Sequence, residues 1–240
     1  MRVDVEACIG CGECIPYCPM NALAVKDEHC MVDEKECVEC NICYYSGVCP
    51  VEALQKEDLT WPREVRSVFS DPLQSHSTTG VPGRGTEEMK TNDVTGRFRA
   101  GYAGIAVELG RPGTGTRFRD VEKVAMAVAT LGVKFEDKNP VTSLMTDRAT
   151  GKIRDDVLEE KALSAIVEFD APLEMVPEVL KVLRDVSSKI DTVFSLDLAC
   201  WVNEENKVKA MELAMAAGYE CSGNGKTNAG LGRPLANLGK

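Results

Sequence analysis

The second half of the chain carries the clearest pattern of apolar and polar positions. Apolar residues alternate within residues 100–109, which predicts a strand. Residues 118–131 then place small apolar side chains at helical spacing, and Gly132 predicts the end of that helix. A second helix with the same periodicity is predicted to begin at Pro172.

Other segments complete this pattern. Further strands are predicted over residues 133–135 with about 141–145 (one strand, bent at Pro140), over 162–169 and over 192–202. A last helix is predicted over residues 206–217, ending at Gly218. The order β-α-β-β-α-β with an added helix predicts an α+β fold class, and it is typical of the ferredoxin-like βαββαβ sandwich. That fold hosts many functions, so it assigns none by itself.

Residues 59–97 lack such periodicity and are rich in Ser, Thr, Gly, Pro and Asp. A linker is one interpretation, and a functional loop is the other, because loops of this length in compact proteins often carry function. The predicted organisation is a first domain over 1–58, the extended linker or functional loop over 59–97, an α+β domain over 98–220 and a C-terminal arm over 221–240.

Composition narrows the class of protein. The 240 residues are 44% hydrophobic and 28% charged, as in ordinary globular chains, and the formal net charge is −10. This acidic balance argues against a nucleic-acid binder, which needs a basic surface. The sequence contains no run of 18 apolar residues, so no membrane span is predicted. The first residues lack the apolar core of a signal peptide. We therefore expect a cytoplasmic protein.

Cysteine is the unusual residue in this composition, with 11 in the chain. Eight of them form two runs, each followed by proline. The first run, C-x2-C-x2-C-x3-C, consists of Cys8, Cys11, Cys14 and Cys18. The second run, C-x2-C-x2-C-x5-C, consists of Cys37, Cys40, Cys43 and Cys49. The runs begin 29 residues apart, which makes the segment an internal repeat. Disulfides are unexpected in a reducing cytosol, so the clustering points to metal.

This spacing predicts two [4Fe–4S] clusters with crosswise ligands, because three close thiolates meet one face of a cubane and the fourth cysteine serves the other cluster. The first cluster is assigned to Cys8, Cys11, Cys14 and Cys49. The second is assigned to Cys37, Cys40, Cys43 and Cys18. Zinc is disfavoured, since zinc sites use pairs of cysteines. Cys30 lies outside both runs, and a buried thiol is favoured over a ligand role.

At these motifs, residues 1–58 resemble a bacterial-type two-cluster ferredoxin. The second spacer is two residues longer than the first, which a turn at Ser46 and Gly47 can absorb. Residues 1–59 contain 12 acidic and 4 basic residues, a net charge of −8. Because this negative charge disfavours a further electron, we expect low reduction potentials for both clusters. The same charge can also steer a basic docking partner.

An arginine- and glycine-rich turn lies between the first strand and the first helix of the α+β domain. Its candidate residues for binding an anion or a flavin phosphate are Arg111, Gly113, Gly115 and Arg117. The spacing matches neither a P-loop nor a dinucleotide fingerprint. The alternative is that these arginines pair with the acidic first domain or with a subunit interface.

A second resemblance involves the polar segment 76–97 and the turn 108–113. The residues that carry it include Thr78, Thr79, Gly80, the segment 83–95 and the run from Glu108 to Gly113. They resemble the ferredoxin-bearing part of hydroxynicotinate reductase and related anaerobic iron–sulfur proteins. The resemblance implies that this enzyme is a longer flavoprotein, of which our chain corresponds only to the electron-carrying part. We therefore expect catalysis to belong to a separate polypeptide.

The sequence therefore predicts the electron-transfer component of an anaerobic oxidoreductase. It delivers electrons one at a time from a low-potential donor to a flavin or metal site on a partner, which can be a flavoprotein. One alternative is a reductase in its own right, with a flavin or an anionic substrate in the arginine- and glycine-rich turn. Another is a redox-sensing interaction module, in which the chain can form a homo-oligomer. No catalytic residue is assigned.

Overall fold

The computed structural model describes residues 1–77, 80, 99–111, 113–205 and 207–221. Most of the segment that resembles hydroxynicotinate reductase, 78–79 and 81–97, lies outside the described residues. Almost all of the predicted C-terminal arm, 222–240, lies outside them as well.

The first part of the chain is built from short elements that frame the cysteine runs. In order they are β1 (Arg2–Val3), a 3-10 turn (Ile15–Tyr17), β2 (Leu23–Lys26), β3 (His29–Val32), α1 (Ile42–Tyr45) and β4 (Leu54–Gln55). Strand β1 pairs antiparallel with β4, and β2 pairs antiparallel with β3. The β2–β3 hairpin turns at Asp27 and Glu28, which both have positive φ, as two-residue hairpin turns require.

A helix that the sequence pattern did not predict follows, namely α2 (Glu64–Ser70). Its apolar residues Val65 and Phe69 are 3% and 2% exposed and join the core of the second half. On the same helix Arg66 is also buried. The beginning of the predicted linker is therefore a packed helix.

The second half contains the main sheet and the longer helices. In order the elements are β5 (Tyr102–Leu109), β6 (Thr116–Arg117), α3 (Phe118–Ala129), β7 (Lys134–Phe135), α4 (Pro140–Ser143), β8 (Met145–Asp147), β9 (Lys152–Ile153), a 3-10 turn (Asp155–Val157), β10 (Lys161–Ala162), β11 (Ala165–Pro172), a 3-10 turn (Leu173–Met175), α5 (Val176–Ser187), β12 (Phe194–Cys200) and α6 (Lys209–Ala216).

Four of these strands form one antiparallel sheet in the order β12–β5–β11–β7. Leu109 of β5 stands opposite Ala165 of β11 and Phe194 of β12, which fixes the register. Alternate residues of β5 and β11 share one core with α3 and α5, and these helices pack against each other. Ala106 and Ile166, on the opposite face, are buried too. This mixture of helices and strands confirms the α+β class.

Two predicted strands differ from the structure. Residues 141–145 were predicted as a strand, but Pro140–Ser143 forms helix α4 and strand β8 begins only at Met145. The reason is a side-chain cap, because Asn139 Oδ1 accepts hydrogen bonds from the amides of Val141 (2.8 Å) and Thr142 (3.4 Å).

The predicted strand 162–169 divides into β10 and β11. It breaks at Leu163, whose amide donates a 2.9 Å hydrogen bond to Ser70 Oγ of α2 instead of joining the sheet. Within the described part of the chain, every helix is too short or too polar to cross a membrane.

Candidate metal centres

The two cysteine runs surround two separate cavities. The first cavity has about 330 Å³ of atom-free space, partly open to solvent, and its four predicted ligands are Cys8, Cys11, Cys14 and Cys49. Cys49 comes from the second run, so the fold brings together cysteines that are far apart in sequence. Ile9 and Val51 line the same cavity near the surface.

The second cavity repeats this arrangement with the other four thiols. It also has about 330 Å³ of atom-free space, partly open to solvent, and its four predicted ligands are Cys18, Cys37, Cys40 and Cys43. Met20 and Val38 close it on the side of the second half. Each cavity therefore contains the complete ligand set that the crosswise assignment predicts for one cluster, and it contains no cysteine from the other set.

The 29-residue repeat extends to the backbone. The amides of Cys8 and Cys37 each donate a 2.9 Å hydrogen bond to the carbonyl four residues before, those of Asp4 and Asp33. Between the first cysteines, positive φ values recur at matched positions, namely Gly10 (64°), Gly12 (76°), Glu39 (56°) and Asn41 (56°). Left-handed residues at the same places turn both runs around their cavities in the same way.

The fourth cysteines also match. The amides of Ala22 and Ala53 donate 3.2 Å hydrogen bonds to the sulfurs of Cys18 and Cys49, each four residues earlier. Hydrogen bonds to sulfur favour the thiolate form that metal ligation needs. The two additional residues of the second spacer are taken up at Gly47, where φ is 63°.

Burial makes these thiols poor anions on their own. Desolvation raises the pKa of Cys40 to about 11 and that of Cys43 to about 12. Clustered buried thiols of this kind need a positive partner, since a coordinated metal deprotonates its thiol ligands outright. The donor set therefore fits an iron-containing group in both cavities.

A single metal ion and a cluster require different arrangements of their ligands. In the described ranges, no three His, Cys, Asp or Glu side chains are arranged to hold one metal ion. Zinc requires four ligands at about 2.3 Å from one centre. A cubane instead distributes its thiolates over separate irons.

The two cavities differ in their exposure. At the first cavity Cys11 is exposed, and Ile9 beside it is 63% exposed. At the second cavity Cys40 and Cys43 are both buried. The first set thus includes an exposed thiol, whereas in the second set Cys18 and Cys37 are only half-buried.

A buried carboxylate accompanies the second cavity. Glu39, between Cys37 and Cys40, is 1% exposed and accepts hydrogen bonds from Arg63 Nη2 (2.6 Å) and Nε (2.9 Å). Its other oxygen pairs with the terminal ammonium group of Met1. These positive groups offset the acidic character of the second run locally.

The arginines of the predicted anion site contact carboxylates. Arg111 Nη1 donates a 2.7 Å hydrogen bond to Glu108 Oε2. Arg117 Nη2 donates a 2.9 Å hydrogen bond to Glu36 Oε1 in the first half of the chain. Lys161 pairs with the other oxygen of the Glu36 carboxylate. Arg117 therefore pairs with the acidic cysteine-bearing part, as the alternative interpretation expects.

The glycines of that turn have different surroundings. A Cβ at Gly113 would meet no atom within 4 Å, whereas a Cβ at Gly115 would lie 2.7 Å from Met20 Sδ. Gly115 thus lets the turn pack closely beside the second cavity. Binding of an anion or a flavin phosphate at this turn stays a prediction.

Sequence reasoning missed the role of Arg66. Its Nη1 donates hydrogen bonds to the carbonyl oxygens of Glu34 (2.8 Å) and Cys37 (2.7 Å), and its Nε pairs with Glu160. An arginine within a segment of turn-forming composition carries no signal of this contact.

Comparison with known proteins supports the assignment of the first part. The family model described as a 4Fe-4S binding domain matches residues 1–24. Ferredoxin-1 of Rhodobacter capsulatus is 42% identical over 40 residues, which are 17% of this chain. The match covers 62% of that relative, which is less than two thirds of its length. A ferredoxin-like protein in the vnf region of Azotobacter vinelandii is 35% identical over 57 residues, 22% of this chain and 85% of the relative.

The most extensive of these matches is to Ferredoxin Fdx2 of Sorangium cellulosum. It is 32% identical over 100 residues, which cover 39% of this chain and 93% of the relative. The alignment therefore spans nearly the whole relative, and the chain belongs to the ferredoxin family of iron–sulfur electron-transfer proteins.

Proposed function

We propose that this chain binds two [4Fe–4S] clusters and carries electrons, one at a time, from a low-potential donor to a partner reductase. The observation that carries the proposal is the partition of the eight thiols between two cavities, one set of four in each. When bound, the clusters supply the one-electron chemistry, and the protein supplies ligands, potential and docking.

The residues around the clusters set the potential. Residues 1–59 carry a net charge of −8, which disfavours a further electron and favours low potentials. Amide hydrogen bonds to the Cys18 and Cys49 sulfurs act in the opposite direction, because they withdraw charge from the thiolates.

Electrons exchange with the partner at the first cluster. Cys11 is exposed there, and the apolar residues Ile9 and Val51, which line the same cavity, are 63% and 37% exposed. The acidic residue Glu13 lines this cavity, and Glu6 lies two residues before Cys8. This surface suits a partner with an apolar centre and a basic rim, such as a flavoprotein or a metal-containing reductase.

The second half packs beside the second cluster. We assign residues 98–220 to a ferredoxin-like βαββαβ sandwich, supported by the sheet order β12–β5–β11–β7 and by the packing of α3 on α5. Its contacts with the cysteine-bearing part include Gly115 against Met20, and Arg117 and Lys161 paired with Glu36. Its position beside the second cluster favours the first cluster as the site of exchange with the partner.

Iron analysis tests the cluster count. Anaerobically purified protein is expected to contain about eight irons and eight sulfides, as two cubanes require, and to give an EPR signal on reduction. Markedly fewer irons would contradict the proposal. A flavin that remains after cluster removal would instead support the alternative of a reductase in its own right.

Single-cysteine variants test the crosswise ligands. Cys8→Ala and Cys49→Ala are expected to remove the same EPR signal although they lie in different runs, and Cys18→Ala is expected to remove the other signal. Cys200→Ala, in strand β12, is the matched control and keeps both. If Cys8→Ala and Cys18→Ala removed the same signal, each run would hold its own cluster.

A further inference from the structure

A fifth thiol lies in the first cavity. The β2–β3 hairpin places Cys30 there, and Cys30 is 3% exposed. Its Sγ lies 3.5 Å from Cys14 Sγ, within the range of a hydrogen bond between sulfurs. Its amide donates a 3.3 Å hydrogen bond to Cys8 Sγ. Cys30 thus touches two of the four predicted ligands without belonging to their motif.

The second cavity has no such thiol. The residue 29 positions before Cys30 is Met1, and Met1 lines the second cavity where Cys30 lines the first. Elsewhere the repeat is closely matched, down to the hydrogen bonds of Ala22 and Ala53. The additional thiol is therefore a chemical difference between two otherwise similar centres.

We propose that Cys30 is a positioning residue that donates its S–H to the Cys14 thiolate and thereby raises the reduction potential of the first cluster. This inference rests on the proposed ligand assignment. The first cavity already holds four cysteine ligands, so the cubane needs no fifth. A neutral donor at this point adds no negative charge to an already acidic environment.

The effect follows from charge withdrawal. A donor to a ligating sulfur draws electron density away from the iron, and hydrogen bonds to sulfurs are one of the factors that set cluster potentials. We expect the S–H of Cys30 to favour the reduced cluster by about tenfold, which for one electron corresponds to about 59 mV. Because the exposed ligand Cys11 belongs to the first cluster, the transferred electron then rests preferentially where the partner is proposed to dock.

Two variants separate the donor from the volume of the side chain. Cys30→Val keeps an apolar side chain suited to strand β3 but removes the donor, and Cys30→Ser keeps a donor. Each protein is titrated anaerobically while EPR follows the two clusters. In Cys30→Val the ratio of oxidised to reduced first cluster is expected to rise about tenfold at a given potential. In Cys30→Ser the reduction potential of the first cluster is expected to stay near that of the unmodified protein. The potential of the second cluster should stay unchanged in both variants. Cys200→Val is the control.

The outcomes distinguish this proposal from the proposed function. An unchanged first potential in Cys30→Val, with about eight irons present, overturns the role of Cys30 and leaves the two-cluster function intact. Fewer irons in the unmodified protein overturn the function itself. Loss of the first cluster in both Val and Ser variants overturns the positioning role and makes Cys30 a ligand. If only Val fails to load, Cys30→Ala replaces it, and an unchanged potential there is equally decisive.

Discussion

Arg66 Nη1 donates a 2.7 Å hydrogen bond to the carbonyl oxygen of Cys37, the first cysteine of the second run. The same guanidinium pairs through Nε with Glu160, which precedes strand β10. Arg66 is 6% exposed, so both contacts are shielded from solvent. One side chain of α2 therefore ties the backbone around the second cavity to the second half of the chain.

Arg66→Ala is expected to weaken the second centre. The change removes the donor of the Glu160 carboxylate and of the Cys37 carbonyl oxygen, and breaking a buried ion pair costs about 3 kcal/mol or more. We expect a lower free energy of unfolding in urea and faster release of iron from the second cluster to a chelator. Arg148→Ala, whose pair with Asp137 is exposed on both sides, is the control and should change stability by less than about 1 kcal/mol. Equal effects of the two variants would contradict the bridging role.

Gly115→Ala tests the packing of the glycine-rich turn beside the second cavity. Gly115 has a φ of 69°, and its Cβ would lie 2.7 Å from Met20 Sδ and 3.1 Å from the carbonyl oxygen of Ala162. We expect a loss of about 3 kcal/mol from backbone strain and overpacking together. Gly113→Ala is matched, because its φ is 60° but no atom lies within 4 Å, so it should lose only about 1 kcal/mol. Urea unfolding measures both, and similar losses would show that the Met20 contact is unimportant.

The parts of the fold that the sequence predicted have strong periodicity and local causes. Strand β5 and helices α3 and α5 show their apolar faces directly, and these faces form the core. Helix α2 escaped prediction because its buried face includes Arg66, Ser67 and Ser70 beside two apolar residues. Helix α4 escaped because its formation depends on one side-chain cap from Asn139. Buried polar residues whose hydrogen-bond partners lie far away in sequence do not contribute to the apolar periodicity from which helices are predicted.

The candidate site divides in the same way. Spacing predicted which three cysteines of each run lie together, because short loops keep neighbouring thiols close. The exchange of Cys18 and Cys49 between the two sets came from the crosswise ligand scheme of two-cluster proteins, and spacing by itself does not give it. The contact between Cys14 and Cys30 depends on where the β2–β3 hairpin folds back. The pairing of Arg117 with Glu36 spans 81 residues, so it needed the relative placement of two parts of the chain.

Asn139 is expected to be a critical polar residue of the second half. It is 0% exposed, its Oδ1 caps α4, and its Nδ2 donates a 2.8 Å hydrogen bond to Glu168 Oε2. Asn139→Ala removes the cap and one donor to a carboxylate that is 1% exposed, so we expect a loss of about 3 kcal/mol in urea unfolding.

Asn139→Asp separates the two roles of Asn139. It keeps the cap but places a second carboxyl group against Glu168. At pH 7 we therefore expect Asn139→Asp to be at least as destabilising as Asn139→Ala. As the pH falls the variant should regain stability, because the two carboxyl groups can then share one proton. An Asp variant with a pH-independent loss would show that the contact with Glu168 is unimportant.

Burial of His76 should make the free energy of unfolding depend on pH. It is 5% exposed and meets the ring of Phe69 edge-on at 6.0 Å, and burial lowers its pKa below the ordinary value. The native state therefore keeps His76 neutral where the unfolded chain, with a histidine pKa of about 6.5, already binds a proton. The free energy of unfolding should fall as the pH drops from 7 to 5.5, a range in which ordinary carboxylates scarcely titrate. His76→Phe removes the titrating group, so its urea stability should vary less over the same range, whatever its absolute value. Equal slopes for His76→Phe and the unmodified protein would show that His76 titrates alike in both states.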